Sequence, residues 1–304
     1  MTPVGTARIE TASMVQIASP TMSDTYTCFD TVVSDGVATI TLNRPDSLNT
    51  MTPAFWSELP RLVRQIDATG EARVVVLAST GRHFSAGMDL AVFGQGNGVD
   101  AGEKGRVRAN LRSNVLHLQE TFTALEKARM PVLAAIQGGC IGGAVDMVTA
   151  CDMRYATEDA FFCIQEINIG MTADVGTLQR LPKLIPEGVC RELAYTGRRM
   201  PAVEAKAVGL VNEVFADHEA LLDGVQGVAA EIAARSPLAV WGSKEMITYA
   251  RDHSTADSLD HIATWQAGMF QPTDMLEAFG AKAEDRPTRF DDLLPFEGGI
   301  SDGV

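Results

Sequence analysis

Two short apolar runs, Val74-Val75-Val76-Leu77-Ala78 and Val132-Leu133-Ala134-Ala135-Ile136, each lead into a glycine-bearing loop and then a stretch of helical character. Runs this short and this rich in β-branched residues suit strands buried on both faces rather than helices. Between them, residues 101–128 place Val107, Leu111, Val115, Leu118, Phe122 and Leu125 three or four positions apart, the spacing of an amphipathic helix. Strand, long helix and parallel strand make a βαβ crossover. The order recurs where residues 152–156 follow another glycine-opened helix, so the chain is constrained to an α/β fold with stacked parallel strands.

The flanking segments fit that frame. Residues 27–33 and 37–42, on either side of Ser34-Asp35-Gly36, predict an antiparallel hairpin. Thr52 offers an N-cap with Pro53 at the first helical position, and Phe55, Trp56, Leu59, Leu62, Val63 and Ile66 follow at helical spacing, with a kink expected at Pro60. Beyond residue 187 the pattern is nearly all helical, with runs near 187–196, 202–208, 219–234, 237–251 and 257–283. Trp265, Met269 and Phe270 are expected in the helix core, and the remaining apolar faces need the core or another subunit to cover them. The chain divides into a loose tail over 1–25, a core over 26–215 and a C-terminal helical oligomerisation region over 216–304.

Charge and cysteine usage exclude several classes. Among 304 residues, 25 Lys and Arg stand against 39 Asp and Glu, a net charge of −14 that repels nucleic acid and anionic membranes. The five cysteines are odd in number and form no C-x-x-C pair, so neither a disulfide framework nor a cysteine zinc site is expected. The histidines (His83, His117, His218, His253, His261) form no H-E-x-x-H, and no metal site is expected. No apolar run approaches the roughly 20 residues that span a bilayer. The first 25 residues lack the basic start and apolar stretch of a secretory signal, and Ser301-Asp302-Gly303-Val304 is not a peroxisomal address, so a cytoplasmic location is expected.

Three segments carry chemistry. Gly81-Arg82-His83-Phe84-Ser85-Ala86-Gly87-Met88-Asp89-Leu90 follows a buried strand; its backbone N–H groups can supply half an oxyanion hole, or Gly87 can simply supply a positive φ in an ordinary loop. Ser85 is no nucleophile elbow, because His83 stands where G-x-S-x-G needs glycine. In Gly138-Gly139-Cys140-Ile141-Gly142-Gly143-Ala144-Val145-Asp146, four glycines permit either close approach of a ligand to a helix start or close packing of that helix on the sheet. It is no dinucleotide fingerprint, since the G-x-G-x-x-G spacing is absent. Asp146, Glu166 and Asp174 lie among uncharged neighbours, where carboxyls acquire raised pKa values and exchange protons near neutrality. Gly94-Gln95-Gly96-Asn97-Gly98 reads as a flexible loop suited to a lid.

In order and separation, Leu42-Asn43-Arg44-Pro45, the 84–90 run, the 138–146 run and Thr177-Leu178-Gln179-Arg180-Leu181-Pro182 resemble the enoyl-CoA hydratase/isomerase (crotonase) superfamily from about residue 27 to 290. Within it, acids at Asp146, Glu166 and Asp174 are similar to the pattern of the Δ3,5-Δ2,4-dienoyl-CoA isomerases, whereas hydratases carry Glu, Glu and Gly there. Asn168 and Ala144 depart from that pattern, in which Asp and Gly are usual.

The resemblance implies a spiral of ββα units and a homotrimer or homohexamer. It implies an acyl-CoA substrate, with coenzyme A as part of the substrate and no separate cofactor. The thioester oxygen would sit between the N–H groups of Met88 and Gly143, and CoA would lie against Ser85, Ala86, Gly87, Met88, Asp89 and Gly143. Proton transfer between C2 and C6 of a 3,5-dienoyl-CoA, in fatty-acid β-oxidation, would fall to Asp174, Glu166 and Asp146. Arg44, Arg82 and Lys282 are the cations available to the CoA phosphates. The rival expectations are a trans-2-enoyl-CoA hydratase and a non-catalytic CoA- or RNA-binding scaffold.

Overall fold

The computed structural model describes residues 26–89, 92 and 104–296; the 1–25 tail, Leu90, the 94–98 loop, residues 101–103 of the expected long helix and the C-terminal tetrapeptide lie outside the described residues. Strands β1 (Phe29–Ser34) and β2 (Val37–Leu42) form the expected hairpin. Its two turn residues, Asp35 and Gly36, both have positive φ (52° and 76°), which matches the twist of the strands they join.

Helix α1 (Pro53–Thr69) starts where Thr52 caps it, its hydroxyl accepting from Phe55 N–H. Pro60 lies within this helix and has no N–H to give the carbonyl of Trp56. Thr121, from helix α2 (Lys104–Lys127), supplies the missing donor: its Oγ1 lies 3.1 Å from Trp56 O. The proline thus becomes a docking point between two helices.

Strands β3 (Val74–Ser79) and β4 (Val132–Ile136) flank α2 in sequence and pair in parallel, as the apolar runs predict. From β4 to β7 the chain deals strands alternately to two sheets. Strand β5 (Gly139–Ile141), helix α3 (Gly143–Thr149), strand β6 (Met153–Thr157) and strand β7 (Phe161–Cys163) follow in order. After helices α4 (Thr177–Arg180) and α5 (Glu187–Thr196) come β8 (Met200–Pro201), α6 (Ala202–Ala207) and β9 (Glu213–Phe215). The first sheet has the order β1-β2-β3-β4-β6-β9 and the second β5-β7-β8. The β4–β5–α3 and β6–β7–α4 turns of the spiral therefore each give one strand to each sheet before their helices.

Because β3 and β4 are covered on both faces, alternate residues serve two cores. Val75, Leu77, Ala134 and Ile136 join the core formed with α1 and α3, while Val74, Val76, Leu133 and Ala135 pack against Leu221, Val225 and Ala229 of helix α7 (His218–Ala233).

Three helices complete the described chain: α8 (Pro237–Ala250), α9 (Thr255–Met269) and α10 (Pro272–Ala283). The single helix expected over 257–283 is in fact two, because Phe270 and Gln271 are extended and Pro272 opens α10 at a position where no N–H is needed. The expectation that Met269 and Phe270 are core also fails: they are 43% and 50% exposed, and α9 buries no residue. Trp265 does pack, edge-on to Trp241 with centroids 4.9 Å apart. Among the described residues, Leu259 and Met269 of α9 and Leu276 and Phe279 of α10 remain exposed.

Candidate active site

The two glycine loops are stitched together at Ser85. Its side chain is fully buried, its N–H donates to Gly139 O (3.2 Å), and its carbonyl accepts from Ile141 N–H (3.1 Å). Ser85 Oγ donates to Asn49 O (2.8 Å) and accepts from Gly87 N–H (3.1 Å). Asn49, itself in the left-handed region at φ 50°, donates to Thr80 O and His83 O and so fixes the entry to the loop. His83 Nδ1 accepts from Gly139 N–H (2.8 Å), which puts any neutral-ring proton on Nε2. Burial, with Arg82 and Arg199 nearby, holds this imidazole below its ordinary pKa.

A short parallel bridge then orients the amides. Met51 N–H donates to Gly87 O and Asp89 N–H to Met51 O, so the Met88 N–H between them points the other way. Gly143, the first residue of α3, has no acceptor within the helix. Neither the Met88 nor the Gly143 N–H reaches a protein acceptor among the described residues. They are close: a Cβ on Gly87 would lie 3.1 Å from Gly143 N and 2.5 Å from Ile141 O, and one on Gly143 would lie 3.8 Å from Met88 N and 2.9 Å from Met51 Sδ. Glycine at both positions keeps two unpaired donors side by side, the geometry an oxyanion requires.

The acids gather around the same helix start. Asp146, one turn into α3, is fully buried; its Oδ1 accepts from Thr177 N–H (2.5 Å), and its Oδ2 has no partner among the described residues. Glu166 sits in the tight turn Gln165–Ile169, anchored by Met171 N–H on its carbonyl (2.9 Å). Its Oε1 lies 3.2 Å from where a Gly142 Cβ would stand, and its buried Oε2 is unpartnered. Asp174 follows on a loop whose carbonyl accepts from Gln119 Nε2 of α2 (2.7 Å).

Burial dominates the electrostatics. It lifts the Asp146 carboxyl to about 6 against the pull of the Thr177 hydrogen bonds, with Asp174 adding to the rise and Arg180 opposing it. Glu166 rises to about 7, by burial first and then by the charges of Asp146 and Asp174. Burial also raises Asp174. Glu166 thus lies against the Gly142 that opens α3, with Asp146 one turn further on, while Asp174 is exposed on its loop and its charge adds to the rise of both.

Of the proposed phosphate contacts, Arg44 and Arg82 flank touching loops, since a Cβ on Gly81 would lie 2.5 Å from Pro45 Cβ; Lys282 lies on α10, a separate element. Thr177, Gln119 and Met51 hold the site together without having been assigned a role from sequence. For Thr177 the signal lay in the 177–182 motif, but Gln119 and Met51 carried none.

The chain matches the family described as enoyl-CoA hydratase/isomerase over residues 33–293. It is 45% identical over 255 residues to the protein named Delta(3,5)-Delta(2,4)-dienoyl-CoA isomerase, mitochondrial, of Mus musculus, covering 82% of this chain and 77% of that one. It is 40% identical to the Arabidopsis thaliana protein of the same name but designated peroxisomal, covering 82% and 90%. Among solved structures, an enoyl-CoA hydratase from Bacillus anthracis superposes with a TM-score of 0.78 at 31% identity, covering 86% of this chain and 98% of that one. The expected cytoplasmic location is overturned by relatives whose names place them in mitochondria or peroxisomes. All five cysteines are free and buried, which speaks to thiol chemistry and carries no address.

Proposed function

This chain belongs to the enoyl-CoA hydratase/isomerase family, and from that membership we propose that it converts 3,5-dienoyl-CoA thioesters to their 2,4-isomers in fatty-acid β-oxidation. The observation that carries this reading is the third acid: Asp174 shares an environment with Asp146 and Glu166 next to the free Met88 and Gly143 amides.

Shifting two conjugated double bonds requires loss of a proton at C2 and gain of one at C6, too far apart for one carboxyl to serve easily. Ionised Asp174 takes the C2 proton. The C2–H electron pair forms the C1=C2 bond as the thioester C=O pair moves onto oxygen, giving a dienolate whose oxyanion is held by the Met88 and Gly143 N–H groups at about 2.7–4 kcal/mol for each such donor. Protonated Glu166 then delivers its proton to C6: the oxyanion re-forms C=O, the C1=C2 pair becomes C2=C3, the C3=C4 pair becomes C4=C5, and the C5=C6 pair takes the proton. Asp174 ends protonated and Glu166 ionised, and a proton exchange between the acids and solvent resets the site. Asp146, charged beside Glu166, favours the protonated form of that acid.

The backbone from Ser85 to Asp89 and Gly143 lies against the CoA portion, with Arg44 and Arg82 toward its phosphates. The exposed apolar sides of α8, α9 and α10 support assembly as a homotrimer or a homohexamer built from it, in which those faces meet neighbouring subunits.

The test is to follow 3,5-octadienoyl-CoA and, separately, crotonyl-CoA with the purified protein. Conversion of the diene, falling about 10²–10⁴-fold in Asp174→Asn together with loss of C2 deuterium exchange, is the expected result. Retained C2 exchange in that variant reverses the ends served by the two acids. Hydration of crotonyl-CoA without diene conversion replaces the isomerase with a hydratase.

A further inference from the structure

The last turns of α2 face the loop that carries Asp174 and Thr177. Gln119, Thr123 and Glu126 stand at helical spacing on one side of α2. Gln119 Nε2 donates to Asp174 O (2.7 Å), and Arg180 donates to Thr123 Oγ1 (3.3 Å) and Glu126 Oε2 (3.1 Å). Arg180 folds back over Gly176, so that a Cβ there would lie 2.0 Å from its Nη1. Gly176, at φ 138°, immediately precedes the Thr177 N–H that holds Asp146. The Arg180 side chain is only 13% exposed, and Glu126 also pairs with Arg251 at the end of α8.

We propose that Arg180, seated on α2 by Glu126 and Thr123 and folded over Gly176, is a positioning residue that fixes the 174–177 segment and with it the Thr177 N–H that holds Asp146. The proposal rests on the reading of Asp146 and Glu166 as working acids. Its chemistry is a relay of charge. A positive guanidinium favours ionised Asp146, and ionised Asp146 favours protonated Glu166, the form that donates to C6. The titratable and charged groups that face Asp146 are Glu166 from the Gln165–Ile169 turn, Asp174 from its loop, Arg180 from α4 and Cys140 from β5. Arg180 is the cation among them. Glu126 stays ionised despite burial, because Arg180 and Arg251 hold its carboxyl below the ordinary range, so it remains a firm anchor.

The experiment titrates ligand-free protein, labelled with 13C at the side-chain carboxyls of Asp and Glu, by infrared difference spectroscopy. Asp146→Asn and Glu166→Gln identify the two bands. Arg180→Met is expected to raise the Asp146 midpoint by about one pH unit and to lower that of Glu166. The basic limb of kcat/KM for the diene should fall to lower pH, with KM changed less than about twofold. Arg180→Lys should give a smaller displacement in the same directions. Glu126→Gln should follow Arg180→Met, whereas Arg251→Met, which touches the same carboxylate from the other side, should leave Asp146 in place.

Unmoved bands in folded Arg180→Met, or an equal displacement in Arg251→Met, would overturn the proposal. If Arg180→Met fails to fold, Arg180→Lys and Glu126→Gln decide it by the same bands. Wild-type protein that titrates as expected but leaves the diene unchanged would overturn the isomerase reading and leave the charge relay standing.

Discussion

Glu166 shows what a buried carboxyl costs a fold. Burial and neighbouring charge lift its carboxyl from 4.5 to about 7, so the unfolded chain releases this proton at lower pH than the folded one. The group is therefore without penalty below pH 4.5, and its penalty grows as pH rises toward 7 and is complete above it. At about pH 8, Glu166→Gln should stabilise the protein by up to about 3 kcal/mol, a gain that vanishes near pH 4, while diene conversion is lost. Urea unfolding at the two pH values measures it. All three acids were legible in the sequence because each sits among uncharged neighbours, and carboxyls so placed are unusual. Their convergence was not legible. Asp146 is held by Thr177 and Glu166 lies against Gly142, contacts that arise only once α3, the Gln165–Ile169 turn and α4 are packed. Asn49 escaped notice for a similar reason, since its work is done with backbone carbonyls of Thr80 and His83 that no side-chain pattern marks.

At the scale of elements, α8 is pinned to the spiral by one buried ammonium. Lys244, 7% exposed, pairs with Asp152 (2.9 Å) and donates to Leu125 O and Met130 O (3.1 and 3.0 Å). Its three donors are all used at the junction of α2, β4 and β6. Lys244→Ala leaves Asp152 with the Val132 N–H (2.7 Å) but no cation, leaves two carbonyls without this donor, and should cost about 3–5 kcal/mol in equilibrium unfolding. The strands and most helices were readable because apolar spacing and caps are local: Thr52 with Pro53 opens α1 where expected, and Asp35-Gly36 turns the hairpin. The break between α9 and α10 was overlooked because apolar residues continue at helical spacing across it, and only Pro272 marks it. Nor does periodicity say which partner will cover an apolar stripe. That is why Met269 and Phe270 looked like core and lie open in the single chain.

For the whole molecule, those open stripes set the prediction. Leu259, Leu276 and Phe279 are each 63% exposed, and Ile247 is 70% exposed, a density of bare aliphatic and aromatic surface that isolated soluble chains seldom carry. Sedimentation should give a homotrimer or hexamer, and Leu276→Glu with Phe279→Glu should shift it toward monomer; a wild-type monomer would remove the assembly from the proposal. The alternation of strands between two sheets has a consequence of its own. The Met88 and Gly143 donors belong to successive turns of the spiral, separated in the chain by all of α2 and β4, and they meet only through the Ser85 stitches and the Met51 bridge. No contiguous fragment ending before Gly143 contains half a working site in any useful sense. During synthesis the ribosome must release the second turn before the first acquires chemical meaning, and a product truncated before Gly143 lacks the second of the two donors.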